Sequence, residues 1–145
     1  MDVDERALLR MSRGQLDRLF ASGLCGPIPN GRAHGTAIML PGTVFNSSIA
    51  RLVNAVAWKG KTFDAIGGSL TNCISPFAFN AIAAVVYQDS SWFDREPCIV
   101  LDYSKTSVIA RSIRDEIRLI TPGFYLGKVY WRGFPTFAFC LRFIE

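Results

Sequence analysis

The C-terminal stretch from Asp115 to Glu145 decides the fold class. It reads Asp115-Glu-Ile-Arg-Leu-Ile, Thr121-Pro-Gly, Phe124-Tyr-Leu-Gly-Lys-Val-Tyr-Trp, Arg132-Gly-Phe-Pro-Thr and Phe137-Ala-Phe-Cys-Leu-Arg-Phe. Three runs rich in β-branched and aromatic residues are separated by tight turns with proline and glycine, and this pattern predicts an antiparallel meander. Strands with bulky apolar residues on one face must roll up or be covered, so we predict a small antiparallel barrel with an apolar interior.

Two helix candidates interrupt this β pattern. Residues 4–22 carry apolar side chains at i, i+3 and i+4 spacing, with Ser12 as a candidate N-cap. They predict a helix within an N-terminal helical segment, residues 1–25. A second amphipathic helix is predicted at about residues 47–58, and its position inside a β chain is typical of a lid over one barrel opening.

The length favours a single domain over residues 1–145, with the barrel formed by residues 26–145 and the lid helix inserted in it. Strand-like runs bounded by glycine, proline and aspartate recur along this part, and with the C-terminal meander they add up to about eight strands. The predicted fold class is therefore mainly β with minor α. Such a barrel has an apolar interior that suits a ligand.

The composition excludes several classes of protein. Hydrophobic residues make up 50% of the chain and charged residues 19%, as in a folded domain rather than a disordered chain. No apolar run approaches the roughly 20 residues of a spanning helix, so we predict no membrane span. The net charge of +4 comes from basic residues spread along the chain, so we predict no nucleic-acid partner. The start, Met1-Asp-Val-Asp-Glu-Arg, lacks a secretory signal pattern, and we expect a cytoplasmic protein.

No motif in the sequence indicates a metal site or a cofactor site. The four cysteines, Cys25, Cys73, Cys98 and Cys140, are far apart, and the chain has one histidine. This spacing predicts reduced thiols and no metal site. Gly67-Gly68, Gly26 and Gly31 are turn glycines rather than parts of a phosphate loop, and no serine stands in a nucleophile elbow, so we predict no cofactor and no serine hydrolase.

Several segments of the chain resemble a bacterial family of small proteins that carry a GXWXG-motif domain and an adjoining domain of unknown function. They are Ala57-Trp58-Lys59-Gly60-Lys61-Thr62-Phe63, Val86-Tyr87, Ile99-Val-Leu-Asp-Tyr, Asp115-Glu-Ile-Arg and Tyr125-Leu-Gly, within a match over about residues 26–143. Where the motif that names the family would stand, this chain reads Gly35-Thr-Ala-Ile-Met. The resemblance implies a calycin-like, lipocalin-type barrel, and it implies no established activity.

Asp102 and Tyr103 end an apolar strand and are the first candidates for chemistry. A carboxylate beside a phenol in a dry pocket is an acid–base pair suited to isomerisation or cyclisation. The alternative is a strand-end aspartate that bonds loop amides, with the tyrosine at the rim. Lys128 is a further candidate at the reacting centre, and His34 is a candidate base or else a structural side chain.

Aromatic and polar residues of the strands are candidates for ligand contacts. The ligand-binding candidates are Trp58, Phe63, Arg118, Tyr125, Tyr130, Phe137 and Phe139. Phe137 and Phe139 belong to an alternating apolar run, which predicts an inward face and a cavity lining. The polar members would orient a ligand oxygen if they faced inward. For Arg118, an exterior salt bridge with Glu116 is the alternative.

Three hypotheses about function remain open. The first is a barrel cavity that binds a hydrophobic, oxygenated small molecule (a lipid, polyketide or terpenoid) and acts as a cofactor-free isomerase or cyclase of secondary metabolism. The second is a non-catalytic carrier or sensor with the same cavity. The third is a structural protein whose apolar surface forms a homodimer interface. The first two differ in whether inward polar groups converge within about 3 Å of one reacting position.

Overall fold

The computed structural model describes residues 3–38, 61–65, 67–72, 82–105 and 111–143. Its elements, in chain order, are α1 (Glu5–Leu9), α2 (Arg13–Ser22), β1 (Gly31–Ile38), β2 (Lys61–Asp64), β3 (Ser69–Asn72), β4 (Ile82–Ser90), β5 (Pro97–Asp102), β6 (Ile113–Thr121), β7 (Phe124–Trp131) and β8 (Phe134–Phe143). The lid helix predicted at about residues 47–58, and with it Trp58, lies outside the described residues.

The strands follow one another around a single antiparallel sheet in chain order. Each strand pairs with the next, and β8 also pairs with β1, so that the sheet closes into a barrel. The prediction of a mainly β, antiparallel, barrel-like fold with minor α is confirmed. Gly123 (φ 72°) and Gly133 (φ 84°) supply the left-handed backbone of the two turns in the C-terminal meander.

The N-terminal helical segment consists of two helices rather than the single helix predicted over residues 4–22. Ser12 separates them: its Oγ accepts a hydrogen bond from the Gln15 amide (3.2 Å), and Gln15 Oε1 accepts one from the Ser12 amide (2.8 Å). This capping box starts α2 anew, because the N-cap residue keeps an extended backbone. The predicted N-cap role of Ser12 is confirmed. Among the described residues, no helix is long and apolar enough to cross a membrane.

The two faces of the barrel wall form two separate hydrophobic clusters. The inner cluster contains Ala33, Phe63, Ala84, Val86, Ile99, Leu101, Tyr103, Ile113, Ile117, Tyr125, Val129, Phe137, Phe139 and Leu141. The outer cluster joins the helices to β1, β7 and β8, and it contains Leu8, Leu16, Phe20, Ile38, Phe124, Leu126, Ala138 and Cys140. Strand β7 is therefore buried on both faces, and this double burial explains why its sequence shows no clean polar face.

Gly127 on β7 is the point where the inner packing leaves no room for a side chain. A Cβ added there would lie 2.3 Å from a ring carbon of Phe139, the residue opposite in the β7–β8 ladder. We expect Gly127→Ala to destabilise the protein by about 1–3 kcal/mol, because the fully buried Phe139 ring must move. Urea unfolding measures this loss.

Gly14→Ala in α2 is the matched control for this substitution. The new methyl group would make only an ordinary contact, 3.5 Å from the Arg18 side chain. We expect no loss of stability from Gly14→Ala, since alanine is the better helix former. A Gly127→Ala protein as stable as the parent would contradict the close approach of Phe139.

Candidate ligand-binding site

A buried phenol–carboxylate pair lies inside the barrel. Tyr103, the residue after β5, and Asp115 on β6 are each only 2% exposed. The Tyr103 hydroxyl donates a hydrogen bond of 3.1 Å to Oδ2 of Asp115. Leu101 faces Asp115 in the β5–β6 ladder, and Tyr103 belongs to the inner cluster. These two side chains bring a proton donor and a proton acceptor into a dry site.

The opposite end of the interior is covered by the segment between α2 and β1. Cys25 and Ile28 of this segment pack against the inner cluster. The Tyr125 hydroxyl donates to the carbonyl oxygen of Pro27 (3.2 Å), and Gln88 Nε2 donates to that of Gly26 (3.0 Å). Burial raises the pKa of Tyr125, so its hydroxyl remains a donor at neutral pH. The hydrogen bond from Tyr125 to Pro27 holds the segment between α2 and β1 against this end of the barrel.

Asp102 lies on the outer face of the barrel wall, away from Tyr103. Consecutive residues of a strand point to opposite faces, so the predicted Asp102–Tyr103 pair does not form. Asp102 instead accepts hydrogen bonds from the Tyr87 hydroxyl (2.9 Å) and from the amide and hydroxyl of Ser104 (2.9 and 2.6 Å). Its position thus corresponds to the alternative, a strand-end aspartate that bonds loop amides.

The hydrogen bonds of Asp102 also determine its charge. Partial burial alone would raise the pKa of Asp102, but the bonds from Ser104 and Tyr87 outweigh this effect and hold the pKa below its ordinary value. Asp102 is therefore ionised at neutral pH. An ionised and well-bonded carboxylate on the outer wall stabilises the turn after β5 rather than a reacting molecule in the interior.

Asp115 is the site residue that the sequence reasoning missed. It occupies the same phase of β6 as Ile113 and Ile117, both of which are buried in the inner cluster. The sequence signal that could have identified Asp115 is an acidic residue between two isoleucines on the same strand face. Such a residue costs free energy unless it is bonded, and this cost marks it as a functional candidate.

Arg118 is buried on the outer face of β6 and binds protein groups rather than the barrel interior. Its guanidinium donates to both carboxylate oxygens of Asp94 (2.7 and 2.6 Å). It also donates to three carbonyl oxygens, those of Phe20 (3.0 Å), Glu96 (3.1 Å) and Pro97 (3.1 Å). Arg118 thereby joins α2 and the turn before β5 to the wall. Its predicted role in orienting an interior ligand is wrong for this geometry, and so is the salt bridge with Glu116, since Glu116 pairs with Arg114.

Lys128 and Tyr130 also point outward, beneath α2 and the turn between β4 and β5. Lys128 forms an ion pair with Asp17 of α2. The Tyr130 ring meets the Trp92 ring edge-on, with 5.3 Å between the centroids. Neither side chain reaches the interior, so neither can orient a molecule held beside Tyr103. His34 is exposed on the outer face of β1, opposite Arg142 in the β1–β8 ladder.

Three residues of the predicted apolar lining lie inside the barrel. Phe63, Phe137 and Phe139 all belong to the inner cluster. Cys25, Cys98 and Cys140 are free thiols, while Cys73 lies outside the described residues. Burial raises the pKa of the Cys98 and Cys140 thiols to about 12, so both stay protonated at neutral pH.

Comparison with known proteins supports the barrel-like fold and assigns no family or function. No protein-family model matches the chain, and no curated protein matches it. A solved crystal structure of a protein from Thermomonospora curvata is similar, with a TM-score of 0.64 and 17% sequence identity. The similarity covers 93% of this chain and 89% of that chain. At this identity the likeness concerns the barrel fold alone.

Proposed function

We propose that this protein binds a hydrophobic, oxygen-bearing small molecule (lipid, polyketide or terpenoid in type) inside the barrel, with Tyr103 and Asp115 as its polar anchor. The observation that carries the proposal is the 3.1 Å hydrogen bond between these two buried side chains within an apolar interior. Burying a carboxyl group and a phenol costs free energy, and apolar residues of similar size would fill the same space at less cost. Ligand sites use a few such polar groups in an apolar cavity to fix orientation.

We further propose that the barrel is of the calycin type, as the resemblance to the GXWXG-motif family implies. Two features support this assignment. The strands follow one another around the barrel in chain order, with β1 beside β8. The segment between α2 and β1 packs against one end of the interior, while the other end lies near Tyr103 and Asp115.

The chemistry that the anchor offers is proton transfer. When a ligand is bound, the Tyr103 hydroxyl can turn from Asp115 to the ligand and donate its one hydrogen bond to the oxygen on which negative charge develops. The Asp115 carboxylate can then take a proton from the carbon atom next to that carbonyl group and return it to another carbon atom of the same molecule. A cofactor-free isomerase or cyclase needs both functions. A carrier needs only the hydrogen bonds.

Removing the anchor hydroxyl tests binding directly. We expect Tyr103→Phe to weaken the binding of prodan, a neutral naphthalene ketone, by about 3- to 10-fold, because one hydrogen bond to the ketone oxygen is lost. The emission of prodan responds to hydrogen bonding, so a fluorescence titration reports both the affinity and the loss of the bond.

The outer wall supplies a matched control of the same residue types. Tyr87 donates to Asp102 (2.9 Å) one strand away, outside the barrel. Tyr87→Phe is expected to leave the affinity for prodan unchanged. Equal affinities for the parent and Tyr103→Phe proteins, or equal losses in both variants, would refute an interior anchor at Tyr103.

Native mass spectrometry of the purified protein separates the enzyme from the carrier. A co-purified molecule that the protein returns unchanged is the result expected of a carrier. For an enzyme we expect an isomer or a cyclised product, and a drop in turnover of about 10²–10⁴-fold in Asp115→Asn. Asp102→Asn, on the outer wall, should then keep its turnover.

A further inference from the structure

A cavity lies on the outside of the barrel, and we name it the outer groove. It has a volume of about 420 Å³ and is bounded by α2, by the turn between β4 and β5, and by β7 and β8. Leu16 and Phe20 form its helical side, and Trp92 and Phe93 form its turn side. This volume is within the range of about 300–1,000 Å³ that small-molecule pockets occupy. The wall of β7 separates it from the Tyr103–Asp115 anchor.

The turn that carries the aromatic side of the outer groove is held rigidly. Glu116 accepts hydrogen bonds from the Ser91 hydroxyl (2.5 Å) and from the Trp92 amide (2.8 Å). Two residues further on, Asp94 is bound by Arg118. Rigid placement on a buried ion network is what a preorganised binding surface needs. A loop that only connected two strands would not need such rigid placement.

The two rings on this turn remain in contact with water despite their size. Trp92 is 54% exposed and Phe93 is 39% exposed. Exposed aromatic rings on a rigid turn beside a cavity gain free energy when a planar ligand covers them. Tyr130 lies at the edge of the same cavity and meets the Trp92 ring, so a flat molecule would find aromatic surfaces along the groove.

The charges of the outer groove favour a single negative charge on that molecule. Its lining contains two cations, Arg13 and Lys128, against one carboxylate, Asp17. Lys128 is 13% exposed, bonds Asp17, and lies 4.2 Å from the centre of the Phe93 ring. Arg114, which stacks on Trp92, is already bound to Glu116. The lining therefore has an excess of one positive charge, and one of its two cations, Lys128, lies beside the Phe93 ring.

We propose that the outer groove is a second ligand site, which takes a planar aromatic molecule with one negatively charged group. The ring lies against Trp92 and Phe93, and the anionic group binds Lys128, where it competes with Asp17. The site is distinct from the interior anchor, and its ligand differs in charge from the neutral molecule proposed there.

The test uses naphthoate as the anionic probe and naphthamide as its neutral counterpart. Each is titrated into ¹⁵N-labelled protein while the backbone amides and the Trp92 indole N–H are followed by NMR. We expect naphthoate to shift the signals of Trp92, Phe93 and α2. Naphthamide should bind at least about threefold more weakly, and added salt should weaken naphthoate binding, because the charge contributes to affinity.

Two variants of the ion pair have opposite expected effects. Lys128→Met should weaken naphthoate binding about 10-fold, since it removes the cation that binds the carboxylate. Asp17→Asn should strengthen it about threefold, since the competing carboxylate is gone. A purely structural ion pair would give a loss in both variants, because either substitution would loosen α2.

A matched ion pair on the other helix is the control. Arg142 of β8 bonds Glu5 of α1 (2.6 Å) and stacks on Phe124, as Lys128 does with Asp17 and Phe93. Glu5→Gln should not change naphthoate binding, and neither should Tyr103→Phe. Lys128→Met should likewise leave prodan binding unchanged, so a failure of the outer site is distinguishable from a failure of the interior one.

Several outcomes would overturn the proposal. They are weaker naphthoate binding in Asp17→Asn, naphthoate shifts confined to residues of the inner cluster, equal affinities for the two probes, and a Trp92 signal that moves with protein concentration alone. The last result would identify the outer groove as a contact between two copies of the chain.

Discussion

Replacing Arg118 by methionine is expected to destabilise the protein by about 3–5 kcal/mol, because a buried guanidinium that bonds a carboxylate and three carbonyl oxygens is lost. The Arg118 side chain is 1% exposed, and it satisfies Asp94 together with three carbonyl oxygens. Methionine fills much of the volume but donates no hydrogen bond, so Asp94 loses its ion-pair partner and each of the three carbonyl oxygens loses one donor. Urea unfolding with a folded-state check by circular dichroism measures the loss.

Arg142→Met is the matched control for this prediction. Arg142 also pairs with a carboxylate, that of Glu5, but its side chain is 43% exposed. Exposed ion pairs contribute about 0–1 kcal/mol, so we expect a small change. Equal losses of stability in both variants would show that the hydrogen bonds of Arg118 contribute no more to stability than an exposed ion pair.

Acidification gives a second readout of the same network. The hydrogen bond from Arg118 lowers the pKa of Asp94 below its ordinary value of 3.8, against the opposing effect of burial. A lowered folded-state pKa means that the ionised carboxylate stabilises the fold above pH 3.8 and loses this contribution as the pH falls towards the lowered value. We expect the parent protein to show this acid-dependent loss of stability and Arg118→Met to lack the part due to the bond between Arg118 and Asp94.

Phe139→Ala is expected to cost about 3–5 kcal/mol of stability, because it removes a fully buried aromatic ring from the inner cluster. Phe134→Ala on the same strand is the control: Phe134 is 70% exposed, and its loss should stay within about 0.5 kcal/mol. Thermal or urea unfolding of the two variants provides the comparison. A Phe139→Ala protein with nearly the stability of the parent would mean that the inner cluster is not a packed core at this point.

The Phe139 ring also connects stability with the proposed interior site. Its removal enlarges the barrel interior, so we expect the affinity for prodan to change along with stability. It should also reduce the cost of Gly127→Ala, since the three atoms nearest to the added methyl group all belong to that ring. A double variant as unstable as the sum of the two single ones would contradict this contact.

Part of the candidate site was predictable from the alternation of residues along a strand. Phe137 and Phe139 stand at alternate positions of β8, and both are inside the barrel as predicted. The same rule, applied to Asp102 and Tyr103, separates them onto opposite faces. The prediction that paired them treated two adjacent residues as neighbours in space, and the closed barrel gives each a different partner.

For β7, the sequence could not show which face carries the polar groups. Lys128 and Tyr130 share one face and Tyr125 and Val129 the other, but both faces are covered, one by α2 and one by the interior. A strand buried on both faces loses the contrast on which a prediction of inside and outside depends. The positions of the helices decide which face of β7 is covered by a helix and which faces the interior. Helix α2 covers β7 although the two are far apart in sequence: Asp17 and Lys128, which form an ion pair, are separated by 111 positions.

The sequence by itself determined the local elements of this protein: the meander from β6 to β8, its glycine turns, the N-cap at Ser12 and the apolar face of β8. These follow from propensity and periodicity, which act over a few residues. The tertiary structure alone decided that Tyr103 meets Asp115, that Asp102 meets Tyr87, and that Arg118 holds Asp94. Such meetings depend on strand register and barrel closure, and a shift of one residue would send every side chain of a strand to the other face.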